Sequence, residues 1–317
     1  MPPATVTVLA GGVGAARFLQ GVDACVDAAT VTVVGNVGDD LDVHGLHVSP
    51  DLDTVLYTLT GEIDEQRGWG VRGDTARALE RARALGADAW FWLGDLDIGL
   101  HLARTGMLRA GASLSEATAR LSAALGLRMR LLPATDDRLR TIVALDGGEV
   151  DFQTYYVRRG HADAVRALRF DGAGEARPAP GVVEAIEAAA AILIAPSNPL
   201  ISIAPILAVE GIRSALERRS APVVAVSPIV EGAALRGPAA EMLRSLGHDP
   251  SPLGVADVYA GVIDAIVVDR ADAGLGPALR ARGVEPVVTA AVMRDAASRR
   301  RLAAAALAAA GIPVASA

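Results

Sequence analysis

The part of the sequence that most strongly indicates a fold runs from Thr5 to Arg17 and reads TVTVLAGGVGAAR. It begins with a β-branched run, Thr5–Ala10, passes through three glycines and continues into an alanine-rich helical stretch. Gly11, Gly12 and Gly14 let the backbone bend close to a ligand at a helix N-terminus, where free N–H groups favour phosphate. We therefore predict a phosphate-binding loop, with a plain tight turn as the alternative.

The rest of the chain repeats this alternation of short β-branched runs and alanine-rich stretches. The pattern predicts an α/β, Rossmann-like fold with a mostly parallel sheet and helices on both faces. Hydrophobic residues make up 51% of the chain and aromatic residues only 3%, so Ala, Val, Leu and Ile must build the core. The predicted strands are Thr5–Ala10, Thr30–Gly35, Ala89–Leu93, Ile192–Ala195, Val223–Ser227, Ala265–Asp269 and Pro286–Thr289.

A different texture separates the third and fourth predicted strands. A helical stretch, Leu114–Leu125, is followed by two runs, Leu139–Leu145 and Glu149–Val157, which flank an Asp-Gly-Gly turn and predict a hairpin. The length of 317 residues permits one large α/β fold or two domains. We expect a single α/β domain over residues 1–317, with a small hairpin and helical subdomain inserted at 133–170.

Composition excludes several classes of protein. All 30 basic residues are Arg, so a Walker P-loop and a Schiff-base enzyme, which both need a Lys, are set aside. The net charge of −7 offers no attraction for nucleic acid or for an anionic membrane, and we expect neither partner. Any phosphate must be held by Arg or by backbone groups.

The expected location is cytoplasmic. A single cysteine, Cys25, permits no intramolecular disulfide, and the first residues lack the pattern of a signal peptide. The uncharged stretch Ala188–Val209 is long enough to span a bilayer, but its three prolines would break such a helix. We expect a buried strand followed by a loop there.

Four carboxylates follow the second predicted strand. Asp39 and Asp40 end the sequence GNVGDD, and Asp51 and Asp53 lie in SPDLDT, so we expect all four in loops. Mg²⁺ prefers oxygen ligands and is commonly held by one or two carboxylates plus substrate phosphates. Acids beside a glycine loop therefore predict a magnesium site, with helix capping as the alternative.

Polar and aromatic residues follow the later predicted strands, at the sheet edge where ligands of such folds bind. Trp92 ends the third predicted strand, just before Asp95, and is suited either to stacking on a flat heterocycle or to core packing. Ser197 and Asn198 follow the fourth strand and Ser227 ends the fifth. Prolines on both sides of Asn198 suit a fixed hydrogen-bonding side chain or merely a rigid strand exit.

Two other types of site are weaker. A dinucleotide fingerprint that starts at Gly12 would need Gly or Ala where Arg17 stands, which counts against a nicotinamide-dependent oxidoreductase. His44 and His47 share a segment with the acids, but their spacing is not a zinc pattern. We expect these histidines to be solvated or structural.

Several short motifs occur along the chain in the order in which one known family carries them. They are Gly11–Gly14 with Arg17, Asn36–Asp40, Ser49–Tyr57, Gly68–Gly70 with Gly73–Thr75, Leu93–Asp95, Leu132–Pro133 with Asp136, Phe152–Gln153, Ala195–Pro199, Ser227–Ile229 and Arg236–Pro238. On these motifs the chain resembles the 2-phospho-L-lactate transferase family of coenzyme F-420 biosynthesis, which includes phosphoenolpyruvate transferase variants.

The resemblance implies an enzyme that transfers a substituted phosphate group. Its donor would be a guanosine diphosphate-linked 2-phospholactyl or phosphoenolpyruvyl unit, and its acceptor a deazaflavin alcohol, 7,8-didemethyl-8-hydroxy-5-deazariboflavin. GMP would be released, Mg²⁺ would be required, and the protein would be a homodimer. A UDP-sugar-binding regulator of the same fold is the competing non-enzymatic hypothesis, although it lacks the SPDLDT and Trp69 motifs.

The resemblance also implies roles for individual residues. Asp39 and Asp53 would be catalytic and hold the metal, and Asp53 and Trp92 would contact the deazaflavin. The general base stays unassigned, because a metal-bound carboxylate is a poor base. The expected substrate-binding residues are Gly11, Gly12, Gly14, Arg17, Asn36, Asp40, Asp53, Thr54, Trp92, Asp95, Ser197, Asn198 and Ser227.

One position departs from the family pattern. Leu96 stands where the family usually has a basic residue after Leu-Gly-Asp, which leaves the donor acid open. We expect Arg104, Arg138 or Arg140 to supply the missing charge. We also expect Asp53→Ala to abolish transfer and to leave the fold intact.

Overall fold

Parallel strands form the centre of the molecule. The computed structural model describes residues 4–235 and 237–314, so Arg236 of the last matching motif lies outside the described residues. In chain order the strands are β1 Val6–Ala10, β2 Val31–Gly35, β3 Leu41–Val43, β4 Leu46–Val48, β5 Arg130–Pro133, β6 Arg140–Leu145, β7 Gly148–Asp151, β8 Ala167–Asp171, β9 Ala191–Ile194, β10 Val223–Val226, β11 Ile229–Val230, β12 Ala233–Ala234, β13 Ala265–Asp269 and β14 Glu285–Thr289.

Seven of these strands form one sheet, in the spatial order β14-β13-β10-β9-β1-β2-β5, and all neighbours are parallel. Strand β1 lies inside the sheet, and all five of its residues are buried. A parallel strand covered on both faces needs such a continuous apolar run, which is what the sequence supplies. Six of the seven predicted strands of the sheet are confirmed.

The prediction of a strand at Ala89–Leu93 is wrong. This segment has no ladder partner in the structure, and Leu93 instead packs with Val43 and Val48 of the β3–β4 hairpin. Strand β5 takes the edge position beside β2, with Leu131 opposite Val33. The more apolar of the two segments is thus not the one in the sheet, because strand pairing depends on tertiary contacts as well as on local composition.

Helices surround the sheet, as the α/β pattern predicted. They are α1 Gly12–Asp23, α2 Pro50–Thr60, α3 Arg77–Ala84, α4 Asp95–Arg109, α5 Leu114–Ala124, α6 Val182–Glu187, α7 Ala204–Ala208, α8 Glu210–Arg218, α9 Ala239–Ser245, α10 Pro252–Val258, α11 Gly276–Arg280 and α12 Ala296–Ala309. The helix predicted at Leu114–Leu125 is α5, and a capping box between Ser113 and Glu116 fixes its start.

A second, antiparallel sheet of three strands, ordered β7-β6-β8, lies in the region where we predicted an inserted subdomain. The predicted hairpin is present as β6 and β7, but β7 ends at Asp151 and a π-helical turn, Thr154–Arg158, follows it. The Thr141 N–H of β6 donates to the Gly38 carbonyl at 2.7 Å. This bond ties the small sheet to the segment that carries Asp39 and Asp40.

The chain reverses its direction of growth across the sheet at β1. Strands β2 and β5 extend the sheet on one side of β1, and β9, β10, β13 and β14 extend it on the other. Ligands of open α/β sheets bind outside the carboxyl ends of the strands at such a switch point. The segments that follow β1, β2 and β9 therefore frame the expected site.

The uncharged stretch that follows helix α6 contains strand β9 and then a π-helical turn, Pro199–Ile203, where we expected a loop. Prolines do not prevent the turn because Pro199 stands at its first position. Among the described residues no single helix is long and apolar enough to cross a bilayer. Pro199–Ala208 and Glu210–Arg218 meet those criteria only together, and they are bent by 87°.

Candidate functional site

The glycine loop connects β1 to α1 at the switch point. Gly11 precedes the helix, and Gly12 has a φ of +76°, a left-handed conformation that favours glycine. The Gly11 N–H donates to Ser197 Oγ at 3.3 Å. A Cβ at Gly11 would lie only 2.6 Å from Asp51 Oδ2, so the absence of a side chain there lets the loop and this carboxylate meet.

Four aspartates gather beside the loop, and all four are buried. Asp39 and Asp40 lie in a turn after β2, as predicted, whereas Asp51 and Asp53 lie in the first turn of α2 and not in a loop. The short β3–β4 hairpin between the two pairs folds the chain back on itself, so that α2 begins next to the turn. We call these four side chains the acid cluster.

Asn36 holds one member of the acid cluster in place. Its Nδ2 donates to Asp51 Oδ2 at 2.9 Å and to the Ile201 carbonyl at 3.3 Å, and its Oδ1 accepts from the Gly38 N–H at 2.8 Å. The side chain is completely buried. Asn36 therefore fixes the orientation of Asp51 beside the glycine loop, and both its amide nitrogen and its amide oxygen are already hydrogen-bonded to protein groups.

Burial makes three members of the acid cluster, Asp39, Asp40 and Asp51, hard to ionise. It raises the pKa of Asp39 well above its usual value, and the charges of Asp51 and Asp40 act in the same direction. Burial also raises the pKa of Asp51 to about 6, against the hydrogen bond from Asn36. Carboxylates crowded in this way are stabilised in their charged form by a cation.

Asp40 has two neighbours that hold it. Ser49 Oγ donates to Asp40 Oδ2 at 2.8 Å, and His47 Nε2 lies 3.2 Å from the same oxygen. Burial raises the pKa of Asp40 in spite of these contacts. Burial disfavours the charged form of His47, but the hydrogen bond and charge of Asp40 outweigh it and raise the pKa of His47. His47 thus has a structural role, as predicted, and His44 is exposed at the tip of the hairpin.

Two oxygens in the acid cluster have no hydrogen-bond partner within residues 4–235 and 237–314: Oδ1 of Asp39 and Oδ1 of Asp40. Buried oxygens of this kind fit a hard cation such as Mg²⁺. In the same two ranges, no group of three or more His, Cys, Asp or Glu side chains is placed to hold a metal ion. A cation bound here therefore needs further oxygens from a ligand.

Asp53 is paired with an arginine. Both of its oxygens accept hydrogen bonds from the guanidinium of Arg104, and the distance from Arg104 Nη1 to Asp53 Oδ2 is 3.0 Å. The same Oδ2 also accepts from the Ser49 N–H at 3.3 Å. Our expectation that Arg104 supplies charge to the donor is wrong. Its side chain is only 1% exposed, and its guanidinium is paired with Asp53. Of the other two candidates, Arg138 pairs with Asp171, and Arg140 lies 4.0 Å from Asp42 beside the acid cluster.

A buried network continues from Arg104 along helix α4. Arg104 Nη1 lies 3.4 Å from His101 Nδ1, and His101 Nε2 lies 3.1 Å from Asp97 Oδ1. The Tyr57 hydroxyl donates to the same Asp97 oxygen at 2.7 Å. Sequence reasoning missed this network. The signal was the spacing of Asp97, His101 and Arg104, which places them on one face of a helix.

The polar residues after β9 and β10 serve their own turns. Asn198 Oδ1 accepts from the Leu200 N–H at 2.9 Å, and its Nδ2 lies 3.7 Å from Met242 Sδ. Ser227 Oγ bonds both the N–H and the carbonyl of Ile229. Of the residues predicted here, Ser197 is the one that contacts the glycine loop, and contacts of all three with substrate stay predictions.

Trp92 and Asp95 lie near the start of α4. Trp92 is half-buried and packs edge-on against Trp69 with ring centroids 5.2 Å apart, while the Arg67 guanidinium lies 4.5 Å from its ring centre. Asp95 accepts from the Thr75 hydroxyl and from the Ala78 N–H. These contacts place Asp95 at the start of α3 and outside the acid cluster.

The remaining predicted residues lie on helices that begin at the site. Thr54 is buried in the first turns of α2, next to Asp53, and Arg17 is half-buried on α1. The structure thus brings together the glycine loop, Asn36, Ser197 and the four aspartates of the acid cluster. Its contacts do not connect Asp95 or Ser227 to them.

Comparison with known proteins follows the same segments. A family model described as 2-phospho-L-lactate transferase CofD matches residues 6–306. A phosphoenolpyruvate transferase of Streptomyces griseus is 44% identical over 296 residues, which cover 92% of this chain and 93% of that protein. A protein of the same name from Streptomyces coelicolor is 46% identical, and the match covers 88% of this chain and 89% of that protein. Another from Mycolicibacterium smegmatis is 41% identical, and the match covers 91% of this chain and 96% of that protein.

Among solved structures, a member of the UPF0052 family from Bacillus halodurans superposes with a TM-score of 0.66. It covers 97% of this chain and 99% of its own length at 18% identity. A likeness at this identity shows the fold alone, and it confirms the predicted α/β class.

Proposed function

Because the chain belongs to the 2-phospho-L-lactate transferase family CofD, we propose that it transfers a phosphoenolpyruvyl unit from a guanosine diphosphate-linked donor to the ribityl hydroxyl of 7,8-didemethyl-8-hydroxy-5-deazariboflavin. The reaction releases GMP and belongs to coenzyme F-420 biosynthesis. The names of the relatives at 41%, 44% and 46% identity favour the enolpyruvyl donor over the 2-phospholactyl one.

One observation carries the proposal: a buried acid cluster lies against a bent glycine backbone at the switch point, with two carboxylate oxygens unpaired among the described residues. A diphosphate alone would be repelled by these acids, and a cation alone would lack ligands. A diphosphate bound together with Mg²⁺ satisfies both sides. This is the donor chemistry that the family implies.

Asp39 and Asp53 are the residues that would hold Mg²⁺. Asp39 offers its unpaired Oδ1. Asp53 offers one lone pair of its Oδ1, because each carboxylate oxygen has two lone pairs and Oδ2 already accepts from both Arg104 and the Ser49 N–H. When bound, the ion would neutralise charge on the diphosphate oxygens. The metal and its ligands are part of the proposal.

The chain's own contribution is to position the reactants. Backbone N–H groups at the start of α1 would bind the diphosphate, together with the Ser197 hydroxyl, which already accepts from the Gly11 N–H. The acceptor hydroxyl then forms a bond to the phosphorus that carries the acid, and the bond from this phosphorus to the GMP oxygen breaks. Trp92 is our proposed contact for the flat deazaflavin ring. The homodimer and the cytoplasmic location stay predictions.

Mass spectrometry of the deazaflavin after incubation tests the proposal. The full chain is incubated with the acceptor, Mg²⁺ and either the enolpyruvyl or the lactyl donor, and a parallel reaction contains EDTA. We expect the acceptor to gain the mass of the phosphoenolpyruvyl unit, and GMP to appear in equal amount, only with Mg²⁺. A lactyl gain instead would correct the donor, and no gain with either donor would overturn the proposal.

A further inference from the structure

Arg104 is the largest fully buried side chain among the described residues. It reaches from helix α4 to helix α2 and meets both oxygens of Asp53 with two nitrogens. The planar guanidinium fork matches a carboxylate in this geometry, and it fixes the plane as well as the position of its partner. An ammonium group has the same charge but no fork.

Arg104 is itself held by a second layer of buried groups. His101 lies one helical turn before it on α4, and the Nδ1 of His101 is 3.4 Å from Arg104 Nη1. On the opposite edge of the ring, His101 Nε2 lies 3.1 Å from Asp97 Oδ1, and this oxygen accepts from the Tyr57 hydroxyl of helix α2. Each of these side chains is buried, so the arrangement joins α2 to α4 beneath the acid cluster.

Stability alone is a poor reason for such a pair. The cost of removing two charges from water often equals or exceeds their attraction, and well-packed apolar residues frequently replace a buried ion pair without loss. The pair also adjoins the site directly, since Asp53 shares its helical turn with Asp51 and accepts from the same Ser49 whose hydroxyl binds Asp40. Its position suits a role in setting the geometry of the acid cluster.

We propose that Arg104 is a positioning residue that fixes the carboxylate plane of Asp53, so that the lone pair left free on Oδ1 points at the donor–cation complex. The effect on turnover rests on the proposed function; the effect on cation binding rests only on Asp53 being one of the cation's ligands. A guanidinium is required rather than a positive charge, and His101 with Asp97 holds that guanidinium in place.

Four variants of the full chain test this: Arg104→Lys, Asp53→Asn, the double variant, and Arg213→Lys as the control. Arg213 forms an exposed pair with Glu217 on helix α8, so the control makes the same substitution at an arginine–carboxylate pair away from the site. For each variant we would measure kcat, the KM for the donor, the dissociation constant for Mn²⁺ in the presence of saturating GDP by electron paramagnetic resonance, and the melting temperature.

We expect Arg104→Lys to stay folded, with kcat lowered on the order of 10- to 100-fold, donor KM changed less than about threefold, and Mn²⁺ bound several-fold more weakly. The double variant should have about the same kcat and Mn²⁺ affinity as Asp53→Asn alone, because Arg104 acts through Asp53. Arg213→Lys should match the wild type in all four measurements.

Two results would overturn the inference. One is wild-type kcat and Mn²⁺ affinity in Arg104→Lys, with only the melting temperature lowered, since that outcome describes a purely structural pair. The other is a double variant whose loss equals the product of the two single losses. If the wild type transfers neither donor unit, the proposed function fails, and the Mn²⁺ affinities of the same variants still decide the role of Arg104.

Discussion

Asp53 shows how a single buried contact changes the experiment that a residue calls for. Sequence reasoning led us to expect that Asp53→Ala would leave the fold intact, but the structure shows that this change would strand the buried Arg104 without its partner. Removing one member of a buried ion pair costs about 3–5 kcal/mol. The alanine variant is therefore the wrong test of catalysis.

Asp53→Asn is the better variant. The amide keeps an oxygen that can accept from Arg104, and we expect it to fold and to lose transfer by more than about 100-fold, while Asp53→Ala loses about 3–5 kcal/mol of unfolding free energy. Urea unfolding and turnover separate the two effects. Asp257→Asn, which alters an exposed pair with Arg282, is the control and should change neither. Full activity in Asp53→Asn would remove Asp53 from the mechanism.

Asp51 makes stability depend on pH. Its pKa is raised from 3.8 to about 6 by burial, so between these values the folded chain binds more protons than the unfolded chain. The free energy of unfolding should therefore fall as pH rises from about 4 to about 6, by up to about 3 kcal/mol from this group.

Urea unfolding in EDTA at pH 4 and pH 7 checks this expectation. Asp51→Asn should remove the share of the fall that Asp51 contributes and be more stable than the wild type at pH 7, while the two proteins should be similar at pH 4. Part of the fall should remain, because burial also raises the pKa values of Asp39 and Asp40. An equal difference between them at both pH values would contradict the role given to Asp51.

The sequence located the site residues better than it located their partners. The glycine loop, Asp39 and Asp40 follow the ends of β1 and β2, so their convergence follows from the geometry of a parallel sheet. Asp51 and Asp53 reach the same place because the β3–β4 hairpin folds the chain back. Arg104 lies in a helix some fifty residues from Asp53, and no local pattern reveals which carboxylate it meets. Asn198 and Ser227 are polar residues of the kind that often contact ligands, but the hydrogen bonds of their side chains stabilise their own turns.

At the level of elements, helix α1 depends on close packing at Gly14. A Cβ at this position would collide with the Pro196 carbonyl at the end of β9. Gly14→Ala should therefore push the glycine loop away from β9 and destabilise the fold by about 1–3 kcal/mol. Gly99→Ala on helix α4 is a matched control, because nothing lies within 4 Å of the added methyl.

Helix propensity makes the control informative, since replacing an exposed helical glycine with alanine stabilises by about 0.5–1 kcal/mol. Urea unfolding should thus give changes of opposite sign for the two variants. A Gly14→Ala protein as stable as the wild type would show that the contact with Pro196 is loose.

Strand prediction succeeded where local sequence and burial agree. Strand β1 is apolar throughout and buried throughout, so its sequence leaves little choice. Ala89–Leu93 has a similar apolar content, yet Phe91 and Leu93 pack on the β3–β4 hairpin, and β5 pairs with β2. Whether Ala89–Leu93 or β5 joins the edge of the sheet depends on contacts between residues that are distant in sequence.

For the whole molecule, the acid cluster predicts that a divalent cation stabilises the fold. A ligand that binds only the folded chain raises its stability by about 2.7 kcal/mol at 100 times its dissociation constant. We expect Mg²⁺ with GDP to raise the melting temperature, and Asp39→Asn to abolish the rise. Asp146→Asn, at an exposed hairpin turn, should keep it. An unchanged rise in Asp39→Asn would show that the ion binds elsewhere.

The attachment of the small sheet at Gly38 limits how the molecule can be recombined. A side chain at Gly38 would lie 2.8 Å from both Thr141 Oγ1 and Pro205 Cβ, so three distant parts of the chain meet there without spare room. Chimaeras that exchange the three-stranded sheet between relatives should succeed only when all three surfaces fit one another. The small sheet thus meets the rest of the chain at a closely packed point beside the turn that carries Asp39.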